Sequence, residues 1–410
     1  MIFISAEILM RFLSKAYLRS MAYSFDQAAD RSKTPSVKYA PAFLRTIFGS
    51  ADVLPMWVAD MEFEPAPFIL EALEQRLHRG NLGYEVYADS LYEAVASWFA
   101  RRHGWTFKGQ DLLFTPNVVS ALAFLLQELT EEGDGVIVQT PVYAPLFQTV
   151  LATHRKPVYN SLRWESGRYE MDFDAFRQMA LRPENKVLLL CSPHNPVGRV
   201  WREEELKKLT EIAEEGNLFI ISDEIHGDIV YAPHRHHPLL SLPFVNPKRV
   251  AVLSSPAKTF NIAGITRAFA LIPDRKLRRA FKSRLEALFL QHPGALAQVA
   301  MEASYREGDA WVDELLAYLN ENKRIAEDFL STHCPELGIA PLEGTFLMWL
   351  DFSACGLKGR ALRDRLVQKG KLGLNPGNWF GEEGVSFMRM NIACPKEMLM
   401  RGLERVALMV

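Results

Sequence analysis

The sequence predicts an α/β fold, and three observations carry the prediction. Short apolar runs at 136–139, 187–190, 218–221 and 250–253 recur through the middle of the chain. They are continuous rather than alternating, as expected of parallel strands covered on both faces. Helical segments alternate with them, and each run ends in a cluster of polar residues.

Taken in order, the elements support this reading. Residues 67–79 predict a helix, with Ile69, Leu73 and Leu77 on one face, Pro67 at its start and Gly80 at its end. Residues 91–102 predict a second, with Trp98 and Phe99 on its apolar side. Leu112 to Phe114 reads as a strand. Asn117 then serves as N-cap of an apolar helix running to Leu129, and such a helix start offers free N–H groups to an anion. After the strand at 136–139 comes Pro141-Val142-Tyr143, and after that at 187–190 comes Ser192-Pro193-His194-Asn195. A charged helix spans 203–215, and the strand at 218–221 ends in Ser222-Asp223-Glu224-Ile225-His226. The strand at 250–253 runs into Ser254-Ser255-Pro256-Ala257-Lys258. Long helices are expected over 275–290 and 310–330, then strands over 345–352 and 385–391. The division expected is a large domain over 68–305 and a smaller α+β domain formed by 21–67 with 306–410. Residues 1–20 read as an extension outside the functional domain, which starts at Met21.

Composition narrows the class. The 410 residues are 49% hydrophobic and 23% charged, ample for more than one core. A net charge of −2 leaves no overall basic surface for nucleic acid. Cys191, Cys334, Cys355 and Cys394 have neither metal-ligand nor disulfide-framework spacing, so a cytoplasmic location and no metal are expected. No apolar run reaches membrane-spanning length. His234, His236 and His237 read as a solvated loop.

In open α/β sheets ligands bind at the carboxyl ends of the strands, so the polar clusters should converge. Lys258 is a candidate amine nucleophile, since a desolvated lysine loses its proton readily. Asp223, next to an apolar run, needs a cationic partner such as a pyridinium. Tyr143 offers a ring face and Asn195 an amide, although Asn195-Pro196 also suits a plain turn. The helix start at Val118 and Val119, with Ser255, suits a phosphate. Arg389 suits either a carboxylate clamp or an ordinary ion pair. The cluster Leu54 to Met61 reads equally as core or as a loop lining a cavity. Together these groups describe a site for pyridoxal 5′-phosphate carrying an amino acid.

The segments SPHNPVGRVW, SDEIHGDIVY, SSPAKTFNIAG and FMRMN resemble the signatures of fold-type I pyridoxal-phosphate enzymes. LPMWVADMEFEPAP, GYEVY, TPVY and the FGEEG–R–N–CP tail are similar to the cystathionine β-lyase type of carbon–sulfur β-lyase within the class I/II aminotransferases. The resemblance runs from Met21 to the C-terminus. It implies an aspartate-aminotransferase-like fold with a mainly parallel seven-stranded sheet. It also implies that Lys258 holds the cofactor, Asp223 pairs with its ring nitrogen, and Asn195 and His226 lie at its phenolic oxygen. Tyr143 stacks on the ring and joins Lys258 as a catalytic candidate. Val118, Val119 and Ser255 bind the phosphate, and Arg389 binds the substrate carboxylate. Tyr84 reaches the cofactor and substrate of the neighbouring subunit in a homodimer, and Tyr87 fits the same loop equally well or only packs. Two positions depart from the pattern. Ala257 replaces a hydroxyl residue, and Thr266 stands where aminotransferases place a phosphate-binding arginine. Arg267, one residue later, should face away if this stretch is a strand. The expected reaction is α,β-elimination from cystathionine or related cysteine S-conjugates, giving thiol, pyruvate and ammonia. The alternatives are an aminotransferase and a ligand-sensing regulator.

Overall fold

A computed structural model describes residues 23–409 apart from 32, 33, 166 and 266. The segment 1–20, Met21 and Thr266 lie outside the described residues. Seven strands form the main sheet: β1 (Leu112–Thr115), β2 (Gly135–Val138), β3 (Lys156–Tyr159), β4 (Asn185–Cys191), β5 (Phe219–Asp223), β6 (Val250–Ser254) and β7 (Ala268–Leu271). Their spatial order is β1-β7-β6-β5-β4-β2-β3. Only β7 runs antiparallel to its neighbours. The strands at the middle are apolar at every position because each face has its own core. Val187, Leu189 and Cys191 enter one cluster, with α3 (Val118–Leu129) and the helix Arg275–Ala287. Leu188 and Leu190 enter the other, with α2 (Asp89–His103) and the helix Glu203–Glu215. Val136, Val138 against Ile137, and Ala251, Leu253 against Val250, Val252, divide in the same way.

Local signals set the element ends. α1 (Pro67–His78) starts on proline, and Gly80 follows at φ +69°. α3 begins at Asn117, whose side chain accepts from Ser120 N while the Ser120 hydroxyl caps Asn117 N. The helices α4 (Ala295–Glu307) and α5 (Asp309–His333) lead into a second sheet. Its strands are β8 (Gly338–Ile339), β9 (Leu347–Asp351), β10 (Asn375–Pro376) and β11 (Phe387–Asn391). They pair antiparallel in the order β8-β9-β11-β10, which puts Arg389 between Trp349 and Asn375.

The strand expected over 385–391 begins only at Phe387, because 382–386 wind as a 3-10 turn. That turn requires glycine: a Cβ on Gly377 or Gly384 would meet the other's carbonyl oxygen at 2.1 or 2.3 Å. The N-terminal segment joins the C-terminal part of the chain through a separate two-stranded sheet, in which Leu54–Pro55 pairs parallel with Leu372–Gly373. Among the described residues no helix is long and apolar enough to cross a membrane.

Candidate active site

β4, β5 and β6 lie side by side, with Cys191 opposite Asp223 and Asp223 opposite Leu253. Their carboxyl ends therefore deliver three loops to one edge. A cavity of about 590 Å³ opens there. Val118, Val119, Tyr143, Asn195, Asp223, His226, Ser255 and Lys258 all line it. Eight predicted residues, from five separate stretches of chain, thus share one wall.

The electrostatics are those of a dry site. Burial, with Arg389 nearby, lowers the Lys258 ammonium to about 8, against the pull of Asp60 and Asp223. Its Nζ donates to the Ala59 carbonyl at 2.7 Å. Burial raises the Asp223 carboxyl to about 6, against an N–H from Ile225. Burial, then Lys258 and Arg389, push His226 well below its ordinary range, so its imidazole is neutral. Its Nδ1 is buried without a hydrogen-bond partner.

One end of the cavity suits an anion. The N–H groups of Val118 and Val119 precede the first helical hydrogen bond of α3 and face the positive end of its dipole. Ser255 is also there, but its hydroxyl donates to the Arg267 carbonyl at 2.9 Å. It meets an incoming anion as a donor only after rotating. Arg267 corrects the sequence reading: it lines the cavity rather than facing away. It precedes β7 instead of lying within it, so strand alternation does not govern its direction. Tyr87 packs flat on Phe114 with ring centroids 4.5 Å apart, and it also interacts with Arg267.

At the other end, next to the lining residue Asn195, lies Arg389. Its guanidinium donates to Asn195 Oδ1 (2.9 Å), Asn375 Oδ1 (2.6 Å) and the Trp57 carbonyl (3.0 Å). No carboxylate pairs with it among the described residues, and it is 5% exposed. Burial pulls it below the usual arginine range. A buried cation held only by neutral acceptors is costly unless a carboxylate arrives. Asn195 thereby combines both of its readings. It sits in a turn, where its carbonyl accepts from Tyr143 N, and its amide oxygen orients Arg389.

The segment Trp57–Met61 settles as a strap over this end, and it is a set of contacts that sequence reasoning missed. Its carbonyls are taken in turn by Arg389, Asn391, Lys258, Asn391 again with Lys38, and Asn261 with Arg31. The only local signal was the polar Asp60 inside an apolar run. Asn375 was likewise unforeseen, because a two-residue strand has no periodicity to read. A second correction concerns His236, which is not solvated. It is 2% exposed and meets Glu224 Oε2 at 3.1 Å. Gly227 admits it, since a Cβ there would lie 2.8 Å from the imidazole ring. Among the described residues no cluster suits a metal ion. Tyr84 stands apart from the cavity, 91% exposed, its ring 6.2 Å from that of His292.

The model of the family "aminotransferase class I and II" matches residues 51–406. Cystathionine beta-lyase PatB of Bacillus subtilis (strain 168) is 40% identical over 383 residues, covering 93% of this chain and 98% of its own. Two solved structures are similar throughout. Cystalysin of Treponema denticola, which contains a pyridoxal 5′-phosphate cofactor, has a TM-score of 0.90 at 33% identity and covers 94% of this chain and 98% of its own. The PLP-bound C–S lyase of Staphylococcus hominis has a TM-score of 0.88 at 30% identity, covering 95% and 98%.

Proposed function

The chain belongs to the aminotransferase class I and II family, and from that membership we propose that it is a pyridoxal-phosphate-dependent carbon–sulfur β-lyase. It eliminates the thiol from cystathionine or related cysteine S-conjugates, and water hydrolyses the remaining enamine to pyruvate and ammonia. One observation carries the reading: the Lys258 amine, lowered to about 8, lines the same cavity as Asn195, whose amide oxygen holds Arg389, a buried guanidinium with no carboxylate partner among the described residues. The full-length similarity to a cystathionine β-lyase and to a C–S lyase supports the elimination over other fates of the same substrate.

The residues fit the cofactor. Asp223 suits a pyridine nitrogen, the orphaned His226 Nδ1 and the Asn195 amide suit a ring oxygen, and Tyr143 offers a face. The α3 start, with Ser255 and Arg267 beside it, suits the phosphate. When bound, pyridoxal phosphate supplies an electron sink at the substrate's α-carbon. Asp223 stays anionic above about pH 6 and so keeps a ring nitrogen protonated. Arg389, oriented by Asn195 and Asn375, would bind the α-carboxylate as a charge-assisted donor. Lys258 Nζ would hold the cofactor, and its free amine would take the α-proton as general base. The thiolate then departs from Cβ.

A homodimer completes the site in this reading. Tyr84, Leu82, Val86 and Phe289 leave an exposed apolar patch around the loop 82–86, which a second copy would cover. Tyr84 then reaches the neighbour's cofactor. Four cysteines without disulfides support a cytoplasmic enzyme.

Purified protein with cystathionine should yield pyruvate without any keto-acid acceptor. Turnover only with an acceptor present, giving the 2-oxo acid of the intact thioether instead of pyruvate, would make it an aminotransferase, and a spectral change without product would make it a sensor. Lys258→Ala should lower turnover by about 10²–10⁴ or more. Borohydride should then fix no cofactor to the chain.

A further inference from the structure

Around Asp60 of the strap lies a charge cluster, buried at Lys38 and Glu62, that the proposed reaction does not use. Lys38 has a side chain 1% exposed. Its Nζ meets Asp60 Oδ1 at 3.3 Å and the Asp60 carbonyl at 3.3 Å, and it also contacts Glu62 Oε1. Arg31 meets Asp60 Oδ2 at 2.7 Å and Glu62 at 3.8 Å, and donates to the Met61 carbonyl. Tyr39 donates its hydroxyl to Glu62 Oε2 at 2.9 Å. Two cations and two carboxylates packed this tightly are a poor source of stability, since desolvation offsets most of their attraction. Their position suggests another use. The Asp60 carbonyl is shared by Lys38 and Asn391, and the preceding carbonyl, Ala59, takes the Lys258 amine.

We propose that Lys38 is a positioning residue for Lys258: it pins the Asp60 end of the strap and offsets part of the Asp60 charge felt at the Lys258 nitrogen. This rests on the reading of Lys258 as the cofactor-holding amine. The groups that face Lys258 are Asp60 and Asp223, which favour its proton, and Arg389, which disfavours it. His226 beside them is neutral. Asp60 in turn is faced by Arg31 and Lys38, with Glu62 beyond them. Cys394 also lies near Lys38 and Glu62, and burial keeps its thiol protonated. Removing the Lys38 charge leaves Asp60 less compensated, so the Lys258 nitrogen holds its proton to higher pH. Removing the Asp60 charge does the reverse.

The test is a pH titration of the visible absorbance of the cofactor-loaded full chain, which reads the proton on the nitrogen that holds the cofactor. Lys38→Gln should raise the midpoint by about half a unit or more, and Asp60→Asn should lower it by a similar amount. Lys38→Arg, which keeps the charge, should restore the native midpoint. A Lys38→Gln midpoint equal to or below the native value overturns the proposal. Should Lys38→Gln not fold, Asp60→Asn keeps the test, because Asp60 is partly exposed. An unmoved midpoint there means that Asp60 does not reach Lys258 and that Lys38 has nothing to offset. Failure of the underlying reading looks different: Lys258→Ala would retain the same absorbance band.

Discussion

Asp223 shows how much the site costs before anything binds. Raising its carboxyl from 3.8 to about 6 corresponds to about 3 kcal/mol against folding once the group is charged. A raised carboxyl leaves stability intact at low pH and removes it as pH climbs through the folded value. Cofactor-free protein should therefore be less stable than Asp223→Asn at pH 8, by several degrees in Tm. The gap should close by about pH 4, and thermal melts across this range check it. Lys258 and Arg389 follow the same logic with opposite sign, each depressed first by burial. Residue types such as these were legible in sequence because lysine, aspartate and arginine beside apolar runs are unusual. Their strained ionisation was not, since it depends on which other charges share the cavity.

At the scale of elements, the strand ends and one helix start do the positioning. α3 owes its first turn to the reciprocal bonds between Asn117 and Ser120. Asn117→Ala should cost about 1 kcal/mol of stability and loosen the amides at Val118 and Val119. A lower Tm together with a higher Kd for pyridoxal phosphate, measured by fluorescence titration, is the expected outcome. β11 presents Arg389 between β9 and β10, and the loss of charge-assisted bonds to a carboxylate is worth about 1.5–3 kcal/mol. Arg389→Met should thus reduce kcat/KM by a factor of roughly 10 to 150. The loss should appear chiefly in KM, with the cofactor absorbance retained. Asn117 was readable as a cap from local sequence alone. The strap was not, because its carbonyls are capped by side chains from 22 to more than 300 residues away.

Over the whole molecule, two sheets meet at the site. The main sheet brings Lys258, Asp223 and Asn195, and the second brings Arg389 and Asn375, which hydrogen-bonds across to Asn195 through Arg389. Tyr84 lies outside this arrangement within one chain. Tyr84→Ala should leave the thermal stability of the protein nearly unchanged while lowering kcat/KM by at least about 10-fold, the scale of one lost transition-state contact. Sedimentation of the native protein should give a dimer, and a monomer active with the same kcat/KM would remove Tyr84 from the site.

The α/β class, the helix starts and the polar strand ends were determined by sequence alone, because periodicity, caps and the mismatch of charge against apolar runs are local properties. The direction of Arg267, the burial of His236 and the strap over Lys258 were decided only by tertiary structure. Each depends on a partner distant in the chain: Arg267 on where β7 starts, His236 on the space above Gly227, and Ala59 on the reach of Lys258. Local sequence specifies which groups need a partner, and only the packed chain specifies which partner they meet.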